Sequence, residues 1–250
     1  MKLPKKNIPY VLGHRGAAGY YPENTLLSFS KALEMGADGV ELDVQMSADG
    51  ELIIMHDETL DRTTDGHGFV KDMTFEELRK LNAAVKHPEA GYCQIPTLKE
   101  VLQLIRDNHK IVNIEIKSGV FDYPGIVDKV MALVREMEME DSVIYSSFNH
   151  YSCLRVHELD PDAYVGLLYA DRFIDTEEYV KKHGGNALHP AIYFLLNPET
   201  VRKAAELGLD INVWTVDEIP HLHMACQMHL TTIITNYPDR ALSVVTQYTK

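Results

Sequence analysis

Two short runs of this 250-residue chain carry acidic side chains in a pattern that strand geometry would turn into a cluster. In Gly39-Val40-Glu41-Leu42-Asp43-Val44, period-two alternation sends Val40, Leu42 and Val44 to one face and Glu41 and Asp43 to the other. Asn113-Ile114-Glu115-Ile116-Lys117 repeats the arrangement, with Glu115 and Lys117 sharing a face. If the apolar faces pack on helices, all of these carboxylates point inward. There they would repel one another and raise each other's pKa unless cations held them ionised. A hard divalent ion on oxygen ligands, joined by Lys117 and Arg15, meets that need. The competing reading is an ion-pair plug, Glu115 with Lys117 and Glu41 with Arg15. The desolvation of two such pairs in one core argues against it as a stability device.

Histidines come to the same place by a separate route. Ser47-Ala48-Asp49-Gly50 divides two strand-like runs by a turn too short for a crossover, so the segment from Glu41 to His56 reads as a β-hairpin. Pairing Met46 with Glu51 sets His56 across from Glu41; pairing Ala48 with Glu51 sets it across from Asp43. Either register puts the imidazole on the carboxylate face, because opposed residues of an antiparallel pair share a side. His14-Arg15-Gly16 follows the first apolar run and brings a second imidazole and a guanidinium. Two histidines flanking a scissile bond can divide general acid and general base work near neutral pH. A hydrogen-bonded loop histidine is the plainer reading of either alone, and their convergence on carboxylates reverses it.

Apolar runs that could hold these residues recur eight times, at residues 10–12, 39–44, 111–116, 143–145, 164–168, 187–188, 211–214 and 232–234, with helical patterns between them. Such alternation argues for parallel βαβ units, and this number in this length is typical of a closed (β/α)8 TIM barrel, with an open doubly wound sheet as the alternative. Barrel active sites sit at the C-terminal ends of the strands, where His14, Lys117 and Trp214 fall. The hairpin extends the second strand. A loop-rich insertion at about 61–96 precedes the third, and capping boxes at Thr74 to Glu77 and Thr97 to Glu100 open helices there. No repeat or linker breaks the pattern, which predicts one domain over residues 1–250.

Composition narrows the function classes. A formal charge of -13 sets the surface against nucleic acid and anionic membranes, so an anionic substrate needs a local positive cluster. Neither a signal peptide after Met1-Lys2-Leu3-Pro4-Lys5-Lys6 nor a bilayer-spanning stretch is visible. Cys93, Cys153 and Cys226 form no CxxC pair and no even disulfide set, which fits reduced thiols in a cytoplasmic protein. The sequence does not decide between a monomer and a homo-oligomer.

Other positions are read more plainly. Trp214, the only tryptophan, could wall a substrate pocket or pack in the core. Asn24 is a natural N-cap for the stripe that begins at Leu26, with Glu23 beside it. His221-x-His223 reads as a solvated helix face, with metal binding the weaker reading.

The ordered set Gly13-His14-Arg15-Gly16, Pro22-Glu23-Asn24-Thr25, Glu41-Leu42-Asp43-Val44, His56-Asp57 with Leu60-Asp61-Arg62-Thr63-Thr64, Glu115-Ile116-Lys117, Trp214-Thr215 and Thr235-Asn236-Tyr237-Pro238 resembles the glycerophosphodiester phosphodiesterase family. The resemblance implies metal-dependent hydrolysis of glycerophosphodiesters, such as glycerophosphocholine, to glycerol 3-phosphate and an alcohol on a (β/α)8 barrel. It further implies Glu41, Asp43 and Glu115 as ligands of Mg2+ or Ca2+, His14 and His56 as the acid and base, and Arg15 and Lys117 as phosphate contacts. A lysophospholipid or other phosphodiester substrate is the alternative, and a non-catalytic metal or phosphodiester module the more distant one. Asn236 stands where the family often has Asp, a departure expected to alter the pocket's rim.

Overall fold

The computed structural model describes residue 3, residues 6–171 and residues 173–249. Met1, Lys2, Pro4 and Lys5, part of the segment read for a signal peptide, lie outside the described residues. The strands are β1 (Tyr10–His14), β2 (Gly39–Met46), β3 (Leu52–Ile54), β4 (Ile111–Ile116), β5 (Val143–Ser147), β6 (Tyr164–Tyr169), β7 (Ala187–Pro190), β8 (Asp210–Val213) and β9 (Thr232–Thr235). All but β3 are parallel, in the order β1-β9-β8-β7-β6-β5-β4-β2, and β1 pairs with β2 to close the barrel. Each predicted run lies in one of these strands. The one slip is Trp214, which falls one residue beyond the end of β8.

Alternation makes the barrel wall two-sided. Outward residues of β2 and β4, including Val40, Leu42, Val44, Ile114 and Ile116, are buried against helices such as α1 (Leu26–Glu34) and, after the short α2 (Phe75–Leu78), α3 (Leu98–Asp107). Both predicted capping boxes are present, at Thr74 with Glu77 and at Thr97 with Glu100. They satisfy backbone donors that the first turn of a helix otherwise leaves orphaned. On α3, Leu98, Val101, Leu102 and Ile105 recur at helical spacing and are all fully buried, each worth about 1.5–3 kcal/mol relative to exposure. The barrel interior is filled by Leu12, Ile144, Tyr164, Ala187 and Ile234, the last of which reaches up to the mouth. His189 also packs there, fully buried beside Gly166, where a Cβ would lie 1.9 Å from its Nε2.

The hairpin forms in neither expected register. Observed pairs are Val44 with Ile54, Gln45 with Ile53 and Met46 with Leu52. A three-residue loop explains the difference: Ser47 N donates to Glu51 O at 3.0 Å, leaving Ala48, Asp49 and Gly50 in the turn, with Gly50 at φ 85°. Continued straight, this register would set His56 across from Leu42, on the outer face. The chain instead leaves the strand after Ile54, and the Gln45 side-chain amide gathers the carbonyls of Met55, His56 and Asp57 at 2.9, 3.3 and 2.7 Å. The bend returns His56 to the mouth.

Between the hairpin and α3, the chain makes an excursion with its own apolar cluster of Ile53, Met55, Leu60, Val70, Leu78, Ala83 and Ile95. Its ends are joined where Ile54 N donates to Pro96 O at 2.9 Å and Ile53 bridges Thr97. The remaining helices, α4 (Ile126–Glu136), α5 (His150–Leu159), α6 (Thr176–Lys182), α7 (Pro198–Leu207), α8 (Ile219–Gln227) and α9 (Pro238–Val245), alternate with β4 to β9 around the barrel.

The ladder between β2 and β4 tolerates no added atom at Gly39, where a Cβ would lie 2.0 Å from the carbonyl oxygen of its partner Ile111. Gly39→Ala is therefore expected to cost about 2–3 kcal/mol, read as a lower urea midpoint. An unchanged midpoint would show that this ladder can adjust.

Candidate active site

Strand register alone brings the acidic residues together. Asp43 is the ladder neighbour of Glu115, and Glu41 neighbours both His14 and Asn113. One oxygen from each of Glu41, Asp43 and Glu115 lies within 4.8 Å of the other two, and this is the only such group among the described residues. All of them are buried, so the cost of ionising them is high.

The turn after β1 delivers cations. Arg15 and Gly16 both have positive φ, 52° and 88°, and a Cβ on Gly16 would lie 2.4 Å from Ser28 Oγ, so glycine alone fits there. This geometry aims the Arg15 backbone N–H at Glu41 Oε2, at 2.9 Å. The guanidinium pairs with Glu23 at 2.8 Å and lies 3.4 Å from Asp43 Oδ2. Lys117 Nζ sits 3.0 Å from Glu115 and 3.9 Å from Asp43. Of the two pairs in the competing ion-pair reading, Glu115–Lys117 is present, whereas Glu41 and Arg15 meet through a main-chain hydrogen bond.

The balance of charge stays negative, and the titration behaviour follows. Burial, then repulsion from Asp43 and Glu115, pushes Glu41 well above the carboxylate range. Burial, then repulsion from Asp43, raises Glu115 to about 7, against the opposing pull of Lys117. Burial opposes the ionisation of Asp43, but Arg15, His56 and Lys117 outweigh it and hold its pKa low. Asp43 Oδ1 and Asn113 Oδ1 are buried with no hydrogen-bond partner. Hard oxygen donors, two unsatisfied acceptors and uncompensated negative charge together fit a divalent cation.

The histidines are held differently. His14 Nδ1 lies 2.8 Å from Asn236 Oδ1, and the amide orientation is fixed because Asn236 Nδ2 and N both donate to Asp217, at 2.7 and 2.9 Å. His14 therefore carries its proton on Nδ1 and turns Nε2 toward Glu41, 4.0 Å away. Burial, then Arg15, lowers its pKa to about 4. His56 Nδ1 instead contacts Asp57 Oδ1 at 2.6 Å, and its side chain is 31% exposed.

His14, Arg15, Glu41, His56, Asn113 and Glu115 form the polar wall of a cavity of about 170 Å³. Phe148, Leu168, Trp214 and Ile234 form its apolar wall. Trp214 is fixed by its Nε1 donating to His189 O at 2.9 Å and by an edge-to-face contact with Phe148. Asp43 and Lys117 stand behind the lining rather than in it. A larger cleft of about 610 Å³ lies at the other end of the barrel, near Tyr10, Tyr164 and Leu209, and has no such cluster.

Two sequence expectations are corrected. Thr25, not Asn24, caps α1, its side chain accepting from Ser28 N. Asn24 has φ 57° and donates Nδ2 to Asp43 Oδ2 at 2.8 Å. Asn236, expected at the rim, contacts His14 itself. Phe148, Asn113 and the Asp217–Asn236 couple were not anticipated. The inward parity of Asn113 was the only available signal.

Fold and site define a (β/α)8 barrel enzyme whose reactive groups gather at the C-terminal mouth. A sequence model of the Glycerophosphoryl diester phosphodiesterase family matches residues 14–240. A "Glycerophosphodiester phosphodiesterase" of Caldanaerobacter subterraneus is 44% identical, the match covering 94% of this chain and 97% of that relative. One of Bacillus subtilis is 38% identical over 91% of this chain and 83% of its own length. Among solved structures, an Oleispira antarctica phosphodiesterase in complex with the product sn-glycerol-3-phosphate superposes with a TM-score of 0.86 at 28% identity, covering 96% of this chain and 97% of that one. The chain belongs to the glycerophosphoryl diester phosphodiesterase family.

Because burial and repulsion raise the folded pKa of Glu41, the folded state is penalised at pH 7 relative to the unfolded chain, in which this carboxyl ionises freely. Glu41→Gln is expected to raise the melting temperature of chelator-treated protein by a few degrees, at about 2–4 °C per kcal/mol for this size. It should also remove the further rise that a divalent ion gives the wild type. A variant melting below wild type in chelator would show that the repulsion is already relieved.

Proposed function

We propose that this chain hydrolyses glycerophosphodiesters, such as glycerophosphocholine or glycerophosphoethanolamine, to glycerol 3-phosphate and an alcohol. The observation that carries this reading is the convergence of two differently held imidazoles and a carboxylate cluster on one cavity that has a polar and an apolar wall. The product-bound relative adds support. We take residues 1–250 as one barrel domain, with the excursion at 61–96 as an insertion into it.

Glu41, Asp43 and Glu115 would hold a divalent ion, Mg2+ or Ca2+, which when bound supplies Lewis-acid polarisation of a phosphate oxygen. Arg15 and Lys117 offset the remaining phosphate charge. His14 enters the reaction as the neutral base, its Nε2 free to take the proton of the nucleophile, whether water or the neighbouring glycerol hydroxyl. His56, beside the Asp57 carboxylate, donates to the leaving alkoxide. Trp214 and Phe148 pack against the carbon face of the substrate.

A lysophospholipid is the second reading. Its support is the exposed apolar side chains Val120, Tyr151, Phe173 and Ile174, on the segments that follow β4, β5 and β6 at the mouth. No helix among the described residues is long and apolar enough to cross a membrane. The unpaired Cys93, Cys153 and Cys226 suit a reducing cytoplasmic setting.

The test is release of glycerol 3-phosphate from both diesters by chelated enzyme, with Mg2+, Ca2+ or Mn2+ restored singly, beside a lysophospholipid panel. Metal-restored release is expected, and His14→Ala and His56→Ala should each lower turnover roughly a hundredfold or more with the fold intact. Silence toward every diester with every ion, from folded protein, would overturn the proposal.

A further inference from the structure

Leu60-Asp61-Arg62-Thr63-Thr64 contributes to the family resemblance, yet none of these residues lines the mouth cavity. Arg62 nevertheless reaches toward it from behind. Its Nε and Nη2 donate to Asp57 Oδ2 and Oδ1 at 2.5 and 2.9 Å. Its Nη1 and Nη2 donate to Glu23 Oε2 and Oε1 at 2.6 and 2.7 Å. One planar group is therefore a fork to two carboxylates at once.

Each carboxylate has a second partner, and that partner lines the cavity. Asp57 Oδ1 meets His56 Nδ1 at 2.6 Å, and Glu23 Oε1 accepts from Arg15 Nη1 at 2.8 Å. Charge-assisted, bidentate contacts of this kind fix the plane of the acceptor as well as its distance. The plane of Asp57 in turn sets the direction of the His56 ring, and the plane of Glu23 sets where the Arg15 guanidinium can lie. Without Arg62, Asp57 and Glu23 would be two like charges facing each other beside a cluster that is already negative.

We propose that Arg62 is a positioning residue: through Asp57 it orients His56 for proton transfer, and through Glu23 it orients Arg15 for phosphate binding. The inference rests on the roles given to His56 and Arg15 above. It places the alignment of two different functions on one side chain outside the cavity. It also assigns each function its own carboxylate, so the two can be separated by mutation. Lysine cannot substitute, because an ammonium is a point charge with no fixed fork.

The experiment measures kcat, KM and melting temperature for Asp57→Asn, Glu23→Gln, Arg62→Gln and Arg62→Lys in the metal-restored enzyme. His56→Ala and His56→Ala/Arg62→Gln are measured alongside. Asp57→Asn is expected to lower kcat by about 10–100-fold, the usual effect of losing a partner behind a site residue, with KM little changed. Glu23→Gln should raise KM severalfold with kcat nearly retained. Arg62→Gln should do both, and Arg62→Lys should recover little of either. In the His56→Ala background, Arg62→Gln should cost little further kcat, since two changes on one path are not additive. If His56→Ala is itself near wild type, the reading of the site fails and this proposal falls with it. If His56→Ala is crippled while Arg62→Gln keeps both constants within twofold, this proposal alone is overturned. Should Arg62→Gln not fold, Arg62→Lys and the two carboxylate variants decide by whether the kcat and KM effects separate.

Discussion

Three carboxylates forced together inside a barrel mouth set the terms for everything around them. Glu41, Asp43 and Glu115 are adjacent because β2 and β4 are paired in register, and strand alternation leaves them no other face. Hydrophobic packing of Val40, Leu42, Val44, Ile114 and Ile116 on the outer helices drives that arrangement and overrides the repulsion inside. The neighbours then read as responses to stored charge. Arg15 and Lys117 supply cations, Asn24 and the Arg15 backbone supply donors, and Asp43 Oδ1 and Asn113 Oδ1 stay unsatisfied.

The same charge separates the two imidazoles chemically. Behind His14 is an amide, itself locked by Asp217, and the ring is largely covered. Behind His56 is a carboxylate, and solvent reaches it. Burial and Arg15 disfavour the imidazolium at His14, whereas His56 sits against a carboxylate at the edge of the solvent, so the two rings meet the cavity in different settings.

Much of this was legible in the sequence because it depends on period-two alternation, which strand residues carry on their face. The eight strands and the inward carboxylates could be read that way, and both capping boxes from their own spacing, whereas His56 reaches the mouth by a route other than the register that predicted it. What could not be read depends on single-residue alternatives of similar energy. Asn24 and Thr25 are both good caps, and only the demand of Asp43 for a donor assigns them. The hairpin register turned on whether Gly50 would close a three-residue loop, and the bend at Gln45 that returns His56 has no periodic signature. Asn236 and Arg62 act across more than thirty residues of sequence or from behind another side chain, where no spacing rule reaches.

The segment between the hairpin and α3 is clamped at its neck, where Ile54 bonds Pro96 and Ile53 bridges Thr97, and it carries its own small core. Chain length in such a pinched loop is thermodynamically inexpensive, since closure entropy grows only slowly with the number of residues enclosed. The excursion is therefore a place where the protein can gain or lose whole turns without disturbing barrel closure. Its first few residues, which carry Asp57 and Arg62, adjoin the mouth through His56 and Glu23. The remainder is open to reshaping for a new partner or a different leaving group.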